Sequence, residues 1–149
     1  MKTLFDASDR AEMLRRIERV QPDSRAQWGK MNASQMLAHC QAPLRVASGE
    51  VKLPRSFLGV VLGRLVKKKA TGPVPYDRNL PTHKSFIIRD ARDHAVERDR
   101  LIALVRAHGE GGAQKLTSAP HPFFGRMSVE QWQNLMWKHL DHHLRQFGA

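Results

Sequence analysis

What the sequence lacks narrows its class first. One cysteine, Cys40, stands among 149 residues. No disulfide can form within the chain, and a reducing, cytoplasmic setting is the expectation. Strand signals are nearly missing: only Phe86, Ile87 and Ile88 make a short β-favouring run. No apolar stretch is long enough to span a bilayer, and the longest, Phe57 to Val66, is broken by Arg64. The opening MKTLFDASDRAEML reaches Asp6 before any long apolar run, unlike a secretory leader. There is no internal repeat and no low-complexity tract. Acids are scarce as well, 14 against 25 Lys plus Arg, for a net charge of +11. What remains is a globular composition, 41% hydrophobic and 26% charged, sufficient for a core in one domain over residues 1–149.

The positive charge is concentrated. Between Val51 and Arg78 seven basic residues (Lys52, Arg55, Arg64, Lys67, Lys68, Lys69 and Arg78) face one acid, Asp77. Such a run is most simply a solvated face. An anionic cosubstrate, a membrane surface or nucleic acid would also suit it. The segment has no recognition-helix signature and no interleaved stacking aromatics, so nucleic acid ranks last. A small-molecule substrate is preferred, with no membrane or nucleic-acid partner. The sequence does not set the oligomeric state, and a homodimer is compatible with it.

Four amphipathic stretches predict helices. The first covers about Ser8 to Val20, with Met13, Leu14, Ile17 and Val20 on one face. The second covers about Ala33 to Ser48, with Asn32 as N-cap and Gln35 completing a capping box. Pro43 lies inside it and cannot donate to the His39 carbonyl, so a kink or irregular turn is expected just after His39. The third covers about Ala91 to His108, capped by Asp90 and ended by Gly109. The fourth covers about Val129 to Phe147, with Ser128 and Gln131 as a capping box and Met127 and Trp132 spaced for a hydrophobic staple. A long connection, roughly residues 50 to 90, holds a short helix around Arg55 to Lys68 and then the irregular segment TGPVPYDRNLPTHK. The expected architecture is all-α, a four-helix bundle with a long connection between its second and third helices.

Chemistry concentrates in the last helix. Trp132, Met136, His139, His143 and Gln146 follow spacings of 4, 3, 4 and 3, the seam that faces a bundle interior. Residues four apart share a helix face, so His139 and His143 can grip one ion from a single helix. With 8 histidines in the chain the spacing alone is a weak signal; its inward placement adds the weight. Two inward imidazoles without partners would be desolvated uncompensated, and a metal satisfies both. A stable site needs a third donor. His39, on the inward stripe with Met36, Cys40, Pro43 and Ala47, is the best candidate. The competing reading of each is a hydrogen-bonded core histidine. His142 is open to three readings: an outer partner of the site, a substitute ligand or a solvated side chain. His121 belongs to an aromatic segment able to fold over the pocket mouth. His83 and His94 have surface-like surroundings, and His108 suits an imidazolium at a helix C-terminus. Cys40 reads as a buried, inert thiol. Trp28, Trp132 and Trp137 read as core or core-edge packing.

These motifs resemble a known family. WGKMNASQMLAHC is similar to the second-helix signature of the DinB-like (DinB/YfiT) metalloenzyme superfamily, and HLDHHLRQFG to its closing pattern of histidine, paired histidines and a following glutamine. HPFFGRMSVEQW resembles a branch known only as a domain of unknown function. The resemblance implies a four-helix bundle with a divalent metal (Zn, Ni, Fe or Mn) on His39, His139 and His143. It also implies a thiol-dependent transferase using a low-molecular-weight thiol; the basic run would suit an anionic one, and hydrolysis by a metal-bound water is the second reaction class. Three neutral imidazoles leave the ion its full charge and an open position, as catalytic rather than structural zinc sites do. No carboxylate is placed as a general base; Asp141 falls about 160° to 200° round the helix from both ligands. The competing functions are a non-enzymatic metal-dependent binding module and an anion or nucleic-acid binder using residues 51–78.

Overall fold

The first helix begins where Asp6 accepts hydrogen bonds from the Ser8 and Asp9 amides at 2.8 and 2.9 Å. In the computed structural model, residues 2–54 and 57–149 are described, with backbone alone at residues 57, 58, 60, 61, 64 and 65. Helix α1 spans Ala7–Arg19, α2 Ala33–Ala47, α3 Phe57–Thr71, α4 His94–Gly111 and α5 Val129–Gln146. Short 3₁₀ turns occupy Lys84–Phe86 and Gly112–Lys115. Among the described residues there is no strand; the Phe86 to Ile88 run supplies the end of a 3₁₀ turn instead. Nor is any described helix long and apolar enough to cross a membrane.

Local signals set most helix starts. The α2 and α5 capping boxes form as the sequence predicts, Asn32 with Gln35 and Ser128 with Gln131. Each satisfies two amides that the helix itself leaves without acceptors. Helix α4 starts three residues later than expected. Asp93, not Asp90, accepts from the Val96 amide at 2.9 Å. Asp90 is drawn away: its carbonyl accepts from Gln35 at 3.2 Å and its carboxylate pairs with Arg92 at 3.0 Å. The same helix runs past Gly109 and ends at Gly112, with φ at +54°. Helix α2 stays helical through Pro43, with no irregular turn after His39. Downstream, the connection holds a 15-residue helix, α3, over nearly the span expected from Arg55 to Lys68 and three residues further. Of the predicted span, residues 55 and 56 lie outside the described residues.

Helix α2 packs against α4 and α5, α1 packs against the same two, and α3 lies on α5. The core between them contains Met13 and Ile17 from α1, Met36, Leu37 and Leu44 from α2, Leu101 and Val105 from α4, and Met136, Leu140 and Leu144 from α5. Full burial of each such side chain is worth about 1.5–3 kcal/mol. Helix α3 comes close to the loop before α5 through Gly59 and Gly63. A Cβ at Gly59 would sit 2.5 Å from the Phe123 carbonyl oxygen, so only glycine allows the approach. This packing brings the middle of α2 and the second half of α5 side by side.

Candidate metal centre

His39, His139 and His143 come together at that crossing. Their ring nitrogens form a group with all chosen atoms within 4.8 Å of one another. Ring centroids are 5.0 Å apart for His39 and His139, and 4.7 Å for each of the other two pairs. The Nε2 atoms of His39 and His139 are 3.2 Å apart. Two imidazoles bound to one ion at 2.0–2.1 Å have nitrogens about this far apart.

Contacts behind the rings fix where their protons sit. His39 Nδ1 lies 2.8 Å from the Phe86 carbonyl oxygen. A carbonyl only accepts, so Nδ1 donates and Nε2 keeps its lone pair. The 3₁₀ turn Lys84–Phe86 presents that carbonyl, and His83 caps the turn by accepting from the Ser85 amide. His143 Nδ1 lies 2.8 Å from Gln146 Oε1. The Gln146 amide nitrogen donates to the Trp28 carbonyl, which settles the side chain's orientation. Nδ1 of His143 therefore donates too, leaving its Nε2 lone pair. The backbone locks this relay, because the Gln27 amide donates to the Gln146 carbonyl at 2.8 Å. Gly29, at φ +83°, leaves room for it; an added Cβ would overlap the Gln146 amide.

The three converging nitrogens thus hold at most one proton among them while the imidazoles are neutral. His139 would carry it, and its Nδ1 is buried without a partner among the described residues. Burial also keeps the rings neutral. Desolvation lowers His39, pushes His143 down to about 3 and holds His139 well below the ordinary imidazole range. Repulsion from the neighbouring imidazoles adds to the effect at His139 and His143. A neutral, proton-poor set of lone pairs is the donor set a cation requires, so the three histidines are able to hold a metal ion.

The remaining histidines lie elsewhere. His142 sits beside the cluster, its ring 5.0 Å from His143, between Trp28 and Tyr76 at 5.6 and 5.7 Å. His121 closes its own loop: Nδ1 accepts from the Phe123 and Phe124 amides, both at 3.1 Å, and the ring stacks on Phe124. Desolvation lowers it to about 4. His108 does sit in the last turn of α4, but burial disfavours the imidazolium form expected there. It is fully buried, desolvation lowers its pKa, and Nε2 donates to the Leu44 carbonyl at 2.8 Å, tying α4 to α2. Cys40 is buried, with its thiol 3.6 Å from Met36 sulfur and its pKa pushed up by desolvation. Asp141 bridges Arg16 at 2.8 Å and Arg145 at 3.1 Å. Two contributors escaped the sequence reading, the backbone carbonyls of Phe86 and Trp28, which carry no residue-type signal. Gln146 was visible, since it continues the histidine seam.

Fold and site together define an all-helical protein whose buried seam gathers three imidazoles able to hold a metal. Over residues 2–149 the chain matches the family described as protein of unknown function (DUF1569), and it belongs to that family. No curated protein and no solved structure matches it.

Proposed function

We propose that the protein binds one divalent metal through Nε2 of His39, His139 and His143 and works as a metal-dependent enzyme on a small molecule. The observation that carries this reading is the pair of hydrogen bonds from His39 Nδ1 to Phe86 and from His143 Nδ1 to Gln146. Each leaves the Nε2 lone pair of its ring free, and His39 Nε2 lies 3.2 Å from His139 Nε2. Metal-ligating histidines are oriented in the same way by acceptors behind the ring. The ring of packing in which α2 and α1 each contact α4 and α5 supports a DinB-like four-helix bundle, with α3 as an addition on α5.

Zinc, nickel, iron and manganese all accept three imidazoles with further positions open. With an open position such an ion supplies Lewis-acid chemistry, deprotonating a bound thiol or lowering the pKa of a bound water towards ~7. The protein's part is to keep three neutral donors aligned and to deny them protons. Asp141 is held between two arginines, so it is poorly placed as a base. That favours thiol transfer, where the nucleophile is deprotonated outright, over a hydrolase that needs a separate proton acceptor.

Elemental analysis of the native protein, beside a His139→Ala/His143→Ala variant, tests the binding. One equivalent in the parent and none in the variant is expected; equal content in both overturns it. Thiol consumption with an electrophilic acceptor, and ester hydrolysis, measured with and without chelator, then separate an enzyme from a binding module.

A further inference from the structure

A cavity of about 440 Å³ is lined in part by His142, whose ring is 5.0 Å from that of His143. That volume falls within the range of small-molecule pockets. Its walls combine flat aromatic surface with positive charge. Trp28 and Tyr76 supply the rings, and Arg78, Lys138 and Arg145 supply the cations. The only carboxylate side chain in the lining, Asp141, is already bridged by Arg16 and Arg145, and Arg16 also donates to the Ala149 carbonyl oxygen at 3.0 Å. Arg78 and Lys138 have no carboxylate partner among the described residues. The Arg78 guanidinium lies 4.5 Å over the Trp28 ring, and the Lys138 ammonium 4.5 Å over the Tyr76 ring. Stacking engages only the face of a guanidinium, and its N–H groups lie in the plane, free to fork onto an anion. Lys138 spends one N–H on the Lys69 carbonyl at 2.9 Å and keeps two.

We propose that this cavity binds a small organic anion, a carboxylate or phosphate on a flat apolar body, beside the three-histidine centre. The charge goes to Arg78 and Lys138, and the body lies along Trp28 and Tyr76. Trp28 connects the two sites: its ring walls the cavity while its carbonyl holds Gln146, which orients His143. Naming the cavity a substrate subsite rests on the metal reading of the histidines; the binding of an anion there does not.

The probes are phenyl phosphate, benzoate and neutral benzyl alcohol, titrated by calorimetry into metal-loaded and chelator-treated protein. Both anions should bind, the alcohol should not, and added salt should weaken the anions. Arg78→Gln, at an exposed position, should weaken anion binding by at least about 10-fold, the loss of a charge-assisted hydrogen bond. Its metal content should match the parent's, and Lys68→Gln should change nothing. Anion binding that survives chelation and depends on Arg78 supports the cavity even if the histidines take up no metal. Metal uptake without Arg78-dependent binding overturns the cavity and leaves the metal reading standing. Anions that bind only with metal and ignore Arg78→Gln, or an alcohol that binds equally well, also overturn it.

Discussion

The Nε2 atoms of His39 and His139, residues 100 positions apart in sequence, stand 3.2 Å apart. His39 has its proton on the opposite nitrogen, so this contact holds one shared proton or a shared cation. Where a cation binds only the folded state, folding gains stability in proportion to occupancy. At a hundredfold excess over Kd the gain is about 2.7 kcal/mol, which raises Tm by roughly 5–10 °C in a chain of this size. Scanning calorimetry of chelator-treated protein with zinc, nickel or manganese added back should show that rise. The His139→Ala/His143→Ala variant should show none. No shift with any of these metals in the parent would refute the shared cation.

Gln146 should govern metal affinity without touching metal. Its side chain orients His143 and is itself held by the Trp28 carbonyl. Loss of such an outer partner costs about 10–100-fold in affinity. Gln146→Ala should therefore bind metal that much more weakly with its helix content retained by circular dichroism. Gly29→Ala should do likewise, because its Cβ would overlap the Gln146 amide and its φ of +83° disfavours a side chain. Parent-like affinity in both variants would show that His143 orients itself.

Helix caps and seam residues were legible because both are local or periodic. Asn32 and Ser128 announced α2 and α5, and the spacing from Trp132 to Gln146 showed which face of α5 turns inward. The α4 start was not legible, since Asp90 and Asp93 are equivalent caps until Gln35 and Arg92 claim Asp90 from a distance. Helix α3 was legible as a helix, but the reason for its Gly59 and Gly63 was not, since the Phe123 backbone that demands them is 60 or more residues away. His108 misled for a related reason. Its position near the C-terminus of α4 suggested an imidazolium, yet the ring is buried against α2 and its Nε2 donates to the Leu44 carbonyl. The histidine cluster could be guessed from sequence, but the carbonyls that orient it are backbone atoms set by tertiary structure.

Acid should destabilise the metal-free protein. His39, His139 and His143 all have folded pKa values below the ordinary 6.5, desolvation being the first cause in each. A depressed histidine binds fewer protons folded than unfolded, so stability rises with pH. The full benefit is present above the unfolded value near 6.5 and is lost as pH falls towards the folded one, about 3 for His143. One unit below 6.5 such a histidine has cost about 1.4 kcal/mol. Urea unfolding of chelated protein should therefore give a clearly lower midpoint at pH 5.5 than at 7.5. Metal-loaded protein should release its ion only as pH approaches the lowered folded values, where protons compete for the same lone pairs. Identical midpoints at the two pH values would mean that the imidazoles titrate normally.

The three-lysine run at the end of α3 should prove dispensable for metal and inert towards DNA. Lys67 donates to the Arg126 carbonyl at 2.9 Å, and Lys69 pairs with Asp77, both sides of that pair being largely exposed. Lys68 is exposed. These contacts occupy two of the three ammonium groups locally, and the basic residue of the segment that lines the cavity is Arg78, not a lysine of the run. Changing Lys67, Lys68 and Lys69 to glutamine lowers the net charge from +11 to +8. Metal content and the binding of small anions should remain at parental levels, with Tm nearly unchanged because exposed pairs contribute little. The parent should show no tight duplex binding at about 0.15 M salt. Were it to bind, and were the triple variant to flatten the slope of log K against log salt by about 2.7, three phosphate contacts would be assigned to these lysines. That result would make the basic segment a nucleic-acid surface and displace the small-anion reading of the charge.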